Sequence, residues 1–320
     1  MKFPGLGAAI MGAFIAGSSA TAQTWPTQSI KMIVPIAPGS VTDVASRFLA
    51  QELQARLGQP VVVVNRPGGN MVIGAQECAR AEPDGYTICV LGADAFSYNP
   101  FLLDQLPYDP DKDFRPITNM YFVKEVVLAS ENTPAKTMDE MKALAKARPG
   151  KLNFGTLGGG STVDIFRKWL SDEWKTEFAA VPYKGGSEIV NAALGGQIDI
   201  TRIGLGNVAG FFNDPRLKPL AVRSEKRLAE LPNVQTTNEA GIGSYPGLPW
   251  WGLVAPAKTP DAVIERVGKE VRDILQQPKS QEFMSRQFLE TAVDTSEAFA
   301  AFLRKDRAAA GSLISKYGRN

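Results

Sequence analysis

The sequence contains no histidine among its 320 residues. This absence excludes the Ser-His and Cys-His nucleophile systems and the usual zinc ligand sets. Neither a Walker phosphate loop nor a dinucleotide-binding glycine fingerprint occurs. The 35 basic and 33 acidic side chains almost balance, and no run of Lys and Arg favours binding to nucleic acid or to an anionic membrane. We therefore predict no metal, no cofactor and no nucleic-acid partner.

Cysteine is scarce, since only Cys78 and Cys89 are present. Cys78 falls late in a helix predicted over 73–81, and Cys89 falls in the strand after the turn at 83–85. A helix that folds back onto the next strand would bring the two thiols together. A disulfide is then plausible in an oxidising compartment. The alternative is a pair of small buried apolar side chains, and the sequence leaves both open.

Long apolar runs are also lacking. The run over 6–15 follows Lys2 and precedes the small residues that end at Ala22. This order is typical of a secretory signal peptide over 1–22, cleaved after Ala22, and the run is too short to span a membrane. A buried N-terminal helix is the alternative. The residue directly after the predicted cleavage site is Gln23 and not a cysteine, so we expect no lipid anchor there. The remaining 23–320 suits two domains of ordinary size.

Two stretches that lie 121 positions apart, 30–43 and 151–164, repeat one design. Each is a short apolar strand, a glycine loop and then Ser-x-x-Asp at the start of a helix. The serines (Ser40 and Ser161) are predicted to cap the helices, and the aspartates (Asp43 and Asp164) to reach back to free backbone donors. Such helix N-termini are ready-made anion sites, although capping alone is the simpler alternative. Two of them suggest a clamp for a small molecule with one or two carboxylates.

The rest of the chain alternates short apolar strands with amphipathic helices, which predicts an α/β fold. A helix over 41–57 carries an apolar face and ends at Gly58. The four valines over 61–64 predict a fully buried strand, and a further strand is predicted over 123–129. Two similar α/β units indicate a two-lobed receptor. Its ligand would lie where loops at the carboxyl ends of the strands face each other.

Many short motifs occur in one order along the chain. They include Ile33-Val34-Pro35, Ala37-Pro38-Gly39, Asn65-Arg66-Pro67-Gly68, Pro83-Asp84-Gly85-Tyr86-Thr87, Val181-Pro182-Tyr183-Lys184-Gly185, Gly195-Gly196-Gln197-Ile198-Asp199 and Trp251-Gly252-Leu253. In these motifs the sequence closely resembles the Bug-type solute-binding proteins, the extracytoplasmic receptors of tripartite tricarboxylate transporters. The resemblance covers essentially all of 23–320.

The resemblance implies a two-lobed periplasmic binding protein fold of the Venus flytrap kind, type II. Domain 1 would comprise 23–122 and 246–320, and domain 2 would comprise 123–245. In such receptors the loop after the first strand of each domain grips a carboxylate, largely through backbone N–H groups and water. Those loops are 36–42 and 158–162, which the repeated design had already singled out.

The resemblance also implies a function. The protein would be a periplasmic receptor that captures a small organic carboxylate and delivers it to membrane permease subunits. The sequence leaves the oligomeric state open, and a monomer is the default expectation. A di- or tricarboxylate and an aromatic acid are both possible ligands. One alternative is a ligand-sensing subunit for a signalling kinase. Another is an enzyme on the same scaffold. The only obvious acid–base pair for an enzyme is Asp43 with Asp164, and both are predicted to cap helices, so we predict no enzymatic activity.

Individual side chains complete the predicted site. Arg202 lies at the end of a predicted strand, and its planar guanidinium group matches a carboxylate. The alternative is a surface arginine that pairs with Asp199 or with solvent. Asp94 could accept a hydrogen bond from an ammonium or hydroxyl group of the ligand, or simply cap the next turn. Lys184 lies in a glycine-rich loop that could ring the cleft or be solvated. The predicted ligand contacts are Ile36, Gly39, Ser40, Val41, Thr42, Asp94, Gly158, Gly159, Ser161, Thr162, Lys184, Gly185 and Arg202.

Overall fold

The computed structural model of the protein describes Met1, residues 25–247 and residues 249–318. The predicted signal peptide and its cleavage site lie outside the described residues, apart from Met1. The strands are β1 (Ile30–Val34), β2 (Val61–Asn65), β3 (Thr87–Gly92), β4 (Phe114–Val123), β5 (Glu125–Ser130), β6 (Asn153–Thr156), β7 (Ala179–Pro182), β8 (Ile200–Gly204), β9 (Leu217–Val222), β10 (Gln235–Thr236), β11 (Trp250–Pro256) and β12 (Leu289–Thr291). The α-helices are α1 (Val41–Leu57), α2 (Val72–Ala79), α3 (Asn99–Leu102), α4 (Met138–Ala147), α5 (Thr162–Trp174), α6 (Gly186–Leu194), α7 (Asp261–Leu275), α8 (Pro278–Arg286) and α9 (Ser296–Tyr317).

The strands form two six-stranded mixed sheets. The first sheet has the order β12-β4-β11-β3-β1-β2, and the second has the order β10-β9-β5-β8-β6-β7. In the first sheet β1 runs parallel to β2 and β3, whereas β11 is antiparallel to β3 and β4. In the second sheet β6 runs parallel to β7 and β8, whereas β5 is antiparallel to β8 and β9. Each sheet with its flanking helices is one lobe, which we call lobe 1 and lobe 2.

The two lobes repeat one topology. The units β1-α1-β2-α2-β3 and β6-α5-β7-α6-β8 correspond element by element. In each unit the first strand lies between the other two. The connection after the first strand and the connection after the third strand therefore lead away from each other along the sheet. This divergence is the topological switch point at which open α/β sheets bind ligands. The site is therefore expected after β1 and β3 in lobe 1, and after β6 and β8 in lobe 2.

Helix α1 shows how the sequence sets one of these elements. Its buried residues include Ala45, Leu49 and Leu53, which are spaced four apart and so form one apolar stripe against the sheet. Gly58 ends the helix in the left-handed conformation, with φ of 72°, and its N–H donates to the carbonyl of Gln54. The predicted bounds of this helix are confirmed.

Two strand predictions are wrong. The valine run is not fully buried, because β2 is the edge strand of the first sheet and Val62 is 50% exposed. The strand predicted over 123–129 is in fact the end of β4 and most of β5, which belong to different sheets. The chain changes sheets at Lys124. It returns to the first sheet between β10 and β11. The predicted domain boundaries, close to these two crossings, stay a prediction.

A disulfide joins Cys78, late in α2, to Cys89, in β3. Both residues have no exposed surface. The covalent link therefore fixes α2 against the strand that follows it, next to the switch point of lobe 1. Among the helices within 25–247 and 249–318, none combines the length and the apolarity needed to cross a membrane.

Candidate functional site

A cavity lies between the two lobes at the switch points of both sheets. About 70 Å³ of it is open to the centre of a water-sized sphere. We call it the main cavity. It is lined by Ile36, Ser40, Val41, Thr42, Met71, Ala93, Asp94, Val123, Glu125, Leu157, Thr162, Val163, Gly186, Ile203, Gly204, Asn207, Pro249, Trp250 and Trp251. A wider outer mouth of about 550 Å³ shares Ile36, Met71, Asp94 and Leu157 with it.

The first turn of α1 forms one wall of the main cavity. Ser40 is the N-cap residue, but its side chain makes no capping hydrogen bond, so the predicted cap by this serine is wrong. Its Oγ instead lies 3.5 Å from Ser187 Oγ in lobe 2. Asp43 reaches back as predicted, since the N–H of Gly39 donates to its carboxylate at 2.9 Å. The Ser40 hydroxyl is therefore not used by the helix and faces the space between the lobes.

Asp43 itself is held by polar neighbours. Burial raises its pKa, but hydrogen bonds from Arg47, the N–H of Gly39 and Asn65 outweigh that effect and leave the pKa below its usual value. An ionised Asp43 with three donors is committed to shaping the loop. It is not an acid–base candidate.

The first turn of α5 forms the corresponding wall in lobe 2, and here the predicted capping is confirmed. The N–H of Asp164 donates to Ser161 Oγ at 3.2 Å, and the N–H of Gly160 donates to Asp164 at 2.9 Å. Gly160 has φ of 76°, a left-handed conformation that favours glycine. Its Cα also comes so close to lobe 1 that an added Cβ would lie 2.8 Å from Leu102. The backbone conformation therefore favours glycine at this position, and a larger residue would also have to displace the side chain of Leu102.

Each helix N-terminus is occupied by a side-chain oxygen from the opposite lobe. The N–H of Thr162 in α5 donates to Asp94 Oδ1 at 2.8 Å, and Asp94 follows β3 of lobe 1. The N–H of Val41 in α1 donates to Asn207 Oδ1 at 2.9 Å, and Asn207 follows β8 of lobe 2. Since β3 and β8 are equivalent strands, the two contacts are reciprocal. They hold the lobes together around the main cavity.

Asp94 was among the predicted contacts, and the structure places it in the wall of the main cavity. It is 2% exposed. Burial raises its pKa to about 7, although the backbone N–H and the side chain of Thr162, and then the charge of Arg202, act in the opposite direction. Among the described residues no cation forms an ion pair with it. Asp94 lines both the main cavity and the outer mouth.

Arg202 does not line the main cavity. Successive side chains of a strand point to opposite faces, so Ile203 faces the main cavity while Arg202 faces away. It is 4% exposed and pairs with Glu125. Its guanidinium carbon lies 4.7 Å from the ring centre of Phe166 and 4.8 Å from that of Tyr245. The predicted contact of Arg202 with a ligand stays a prediction, and its charge is already matched by a carboxylate.

Of the other predicted residues, some line the outer mouth and some lie where the two lobes touch. Gly158, Gly159 and Lys184 line the outer mouth. The carbonyl of Lys184 accepts a hydrogen bond from the N–H of Ala37 across the lobes at 3.3 Å. Gly185 packs so closely on lobe 1 that an added Cβ would lie 2.7 Å from Ser40 Oγ. Gly39 and Ser161 shape their loops without lining either space.

Sequence reasoning missed Asn207 and Glu125. Asn207 had one signal, because it follows β8 as Asp94 follows β3, but a contact with α1 depends on how the lobes close. Glu125 lies between the main cavity and the smaller cavity that holds Arg202. Within the part of the chain that the structure describes, no group of three or more Cys, Asp or Glu side chains is arranged to hold a metal ion.

The chain was compared with known proteins. The protein BugT of Bordetella pertussis is 30% identical over 300 residues, which cover 92% of this chain and 92% of BugT. The structure of the periplasmic binding protein BugD superposes with a TM-score of 0.86 at 30% identity, covering 92% of this chain and 99% of BugD. The structure of R. palustris Rpa4515 with adipate superposes with a TM-score of 0.87 at 25% identity, covering 92% and 98% of the two chains.

These likenesses confirm the two-lobed binding-protein fold and the resemblance to Bug-type receptors. The match to a family extends over residues 45–319, and that family is described as the tripartite tricarboxylate transporter family receptor, TctC. The chain belongs to this TctC receptor family.

Proposed function

We propose that the protein is a periplasmic receptor that captures a small organic carboxylate between its lobes and delivers it to a tripartite tricarboxylate-type transporter. One observation carries the proposal. Two helix N-termini face a single interlobe cavity, and the N–H of Thr162 already holds a carboxylate there, that of Asp94. A helix N-terminus favours an anion because its first N–H groups have no partner within the helix and because the positive end of the helix dipole lies there.

The relatives support both halves of the proposal. The structure of Rpa4515, at 25% identity, contains adipate, a dicarboxylate. The family description supports delivery to a transporter, and BugD is described as periplasmic. The small volume of the main cavity favours a compact ligand, since a single buried water already needs roughly 10–15 Å³ by this measure.

Direct binding tests the proposal. The protein should be unfolded and refolded to remove any bound ligand, then titrated by calorimetry with mono-, di- and tricarboxylates, aromatic acids and amino acids. We expect at least one carboxylate to bind and to raise the melting temperature, because it binds only the folded state. No binding across the whole set would contradict the proposal.

A proline substitution tests whether the N–H groups of α1 hold the ligand. Val41 is the first residue of α1, a position where proline is tolerated, and α8 begins naturally with Pro278. The extended conformation of Ser40, with ψ of 154°, also suits the residue before a proline. Val41→Pro removes the backbone N–H of this residue. The matched control Val41→Ala shortens the side chain and keeps the N–H. We expect Val41→Pro to lower affinity about tenfold more than Val41→Ala does, because a hydrogen bond to a charged group contributes roughly 1.5–3 kcal/mol.

A further inference from the structure

The two helix N-termini that face the main cavity are not equivalent. The N-terminus of α5 holds the carboxylate of Asp94, whereas the N-terminus of α1 holds the neutral amide of Asn207. A ligand carboxylate can displace the amide from α1 without displacing a charge. It cannot take the α5 position without separating Asp94 from Thr162. The ligand carboxylate is therefore expected at α1, beside the uncapped hydroxyl of Ser40.

The charges around the main cavity are one-sided. Its described lining contains two acidic side chains, Asp94 and Glu125, and no Lys or Arg. Glu125 is matched by its ion pair with Arg202. Asp94 has no ion pair among the described residues, and it lies where the mouth meets the main cavity. The carboxyl group of Asp94, which has no cationic partner among the described residues, thus faces any ligand whose carboxylate is held at α1.

A second carboxylate beside the buried Asp94 would bring two acidic groups together in a site of low polarity, where repulsion between like charges is stronger than in bulk water. An ammonium group there would instead gain a charge-assisted hydrogen bond. The remaining lining is mostly apolar, including Met71, Leu157 and Trp251, and offers no cation to a charged side chain.

We infer that the ligand class is an amino acid with an uncharged side chain, its carboxylate held at the N-terminus of α1 and its ammonium group on Asp94. Asp94 is then the residue that determines specificity. The inference rests on the proposed carboxylate-receptor function and narrows its substrate class.

Matched ligand pairs test the inference. Refolded wild-type protein is titrated with L-valine, with 3-methylbutanoate, which lacks the amino group, and with 2-hydroxy-3-methylbutanoate, which replaces it by a hydroxyl. The same three titrations are made with Asp94→Asn and Asp94→Ala. We expect the wild type to bind valine at least tenfold more tightly than 3-methylbutanoate, and both variants to lose about tenfold or more of that ratio. If valine is too large for the cavity, L-alanine with propanoate and lactate replaces the set.

Asn207→Ala is the matched control, because it also removes an interlobe contact at the same cavity but changes no charge. It should change the affinities for the amino and des-amino ligands by a common factor and leave their ratio unchanged. A ratio that Asp94→Asn and Asp94→Ala also leave unchanged, tighter binding of the des-amino acid or of a diacid to the wild type, or equal binding of the hydroxy acid would overturn the inference while the receptor function stands. If no carboxylate of any kind binds, the proposed function itself fails.

Discussion

At the scale of single residues, Asp94 links the two lobes, but its burial opposes folding. It bridges the lobes by accepting from Thr162, yet its carboxylate is buried without a matching cation among the described residues. Burial of an unmatched charge opposes folding unless the group takes up a proton. Natural proteins retain such groups where function needs them, which agrees with a role in the ligand site.

The raised pKa of Asp94 makes a prediction about stability and pH. Burial raises its pKa to about 7 in the folded protein, against 3.8 for an unperturbed aspartate. Thr162 and Arg202 act in the opposite direction, and the charge of Glu125 adds to the rise. Between these values the folded state holds a proton that the unfolded state has lost. The contribution of Asp94 to stability therefore falls as pH rises from about 4 to about 7. Asp94→Asn lacks this loss and should gain on the wild type over that window, by roughly 4 kcal/mol at the upper limit.

Chemical denaturation of ligand-free wild type and Asp94→Asn at several pH values measures this difference. The other buried acids are present in both proteins, so the difference between the two curves reports the ionisation of Asp94 together with its coupling to Glu125. Two stability curves that stay parallel from about pH 4 to pH 7 would show that Asp94 ionises normally in the folded state.

At the scale of elements, a helix whose ends carry sequence signals could be predicted. A strand that forms only because neighbouring strands pair with it could not. The bounds of α1 follow from its apolar stripe, its N-cap position and Gly58. In contrast, β4 contains Pro116 and Asn119, which break any apolar pattern, and it forms because β11 and β12 pair with it. The two helix N-termini of the site could be predicted for the same reason as α1. The contact of Asn207 with Val41 could not, since it joins residues 166 positions apart across two lobes.

The close approach of the loop before α6 to lobe 1 makes a second prediction. Gly185 has extended backbone angles that any residue adopts, with φ of −178°, so alanine there adds no backbone strain. Its Cβ would lie 2.7 Å from Ser40 Oγ and 2.8 Å from Ala37 Cβ, both in lobe 1. Overpacking of this kind costs about 1–3 kcal/mol, and it falls on the closed arrangement of the lobes. Gly185→Ala should therefore lower ligand affinity about tenfold or more at nearly unchanged melting temperature of the ligand-free protein.

Calorimetric titration and a melting curve of the same sample measure both quantities. Gly210→Ala is a suitable control, since an added Cβ there would meet no atom within 4 Å. An affinity of Gly185→Ala equal to that of the control would mean that the lobes do not approach this closely when ligand is bound.

At the scale of the whole molecule, the lobes are closed on the main cavity by the protein's own groups. The contacts of Asp94 and Asn207 with the opposite helices are supported by Ser187 Oγ, which donates to the carbonyl of Pro38 at 3.1 Å. A ligand shifts such an equilibrium only by its differential affinity for the closed and open forms. Because these contacts form without a ligand, the ligand-free protein should already populate the closed form. A bound ligand then replaces the contact of Asn207 with α1 rather than creating every contact between the lobes.

Asn207→Ala tests this view of closure. Removing one interlobe hydrogen bond of about 1 kcal/mol should shift the ligand-free equilibrium toward the open form by roughly fivefold. Small-angle X-ray scattering of the ligand-free proteins should give a larger radius of gyration for Asn207→Ala than for the wild type, and saturating ligand should bring the two values together. The exposed Asn213→Ala serves as a surface control with the wild-type radius. Equal radii for all three ligand-free proteins would mean that Asn207 does not hold the lobes closed, and that closure depends on the ligand alone.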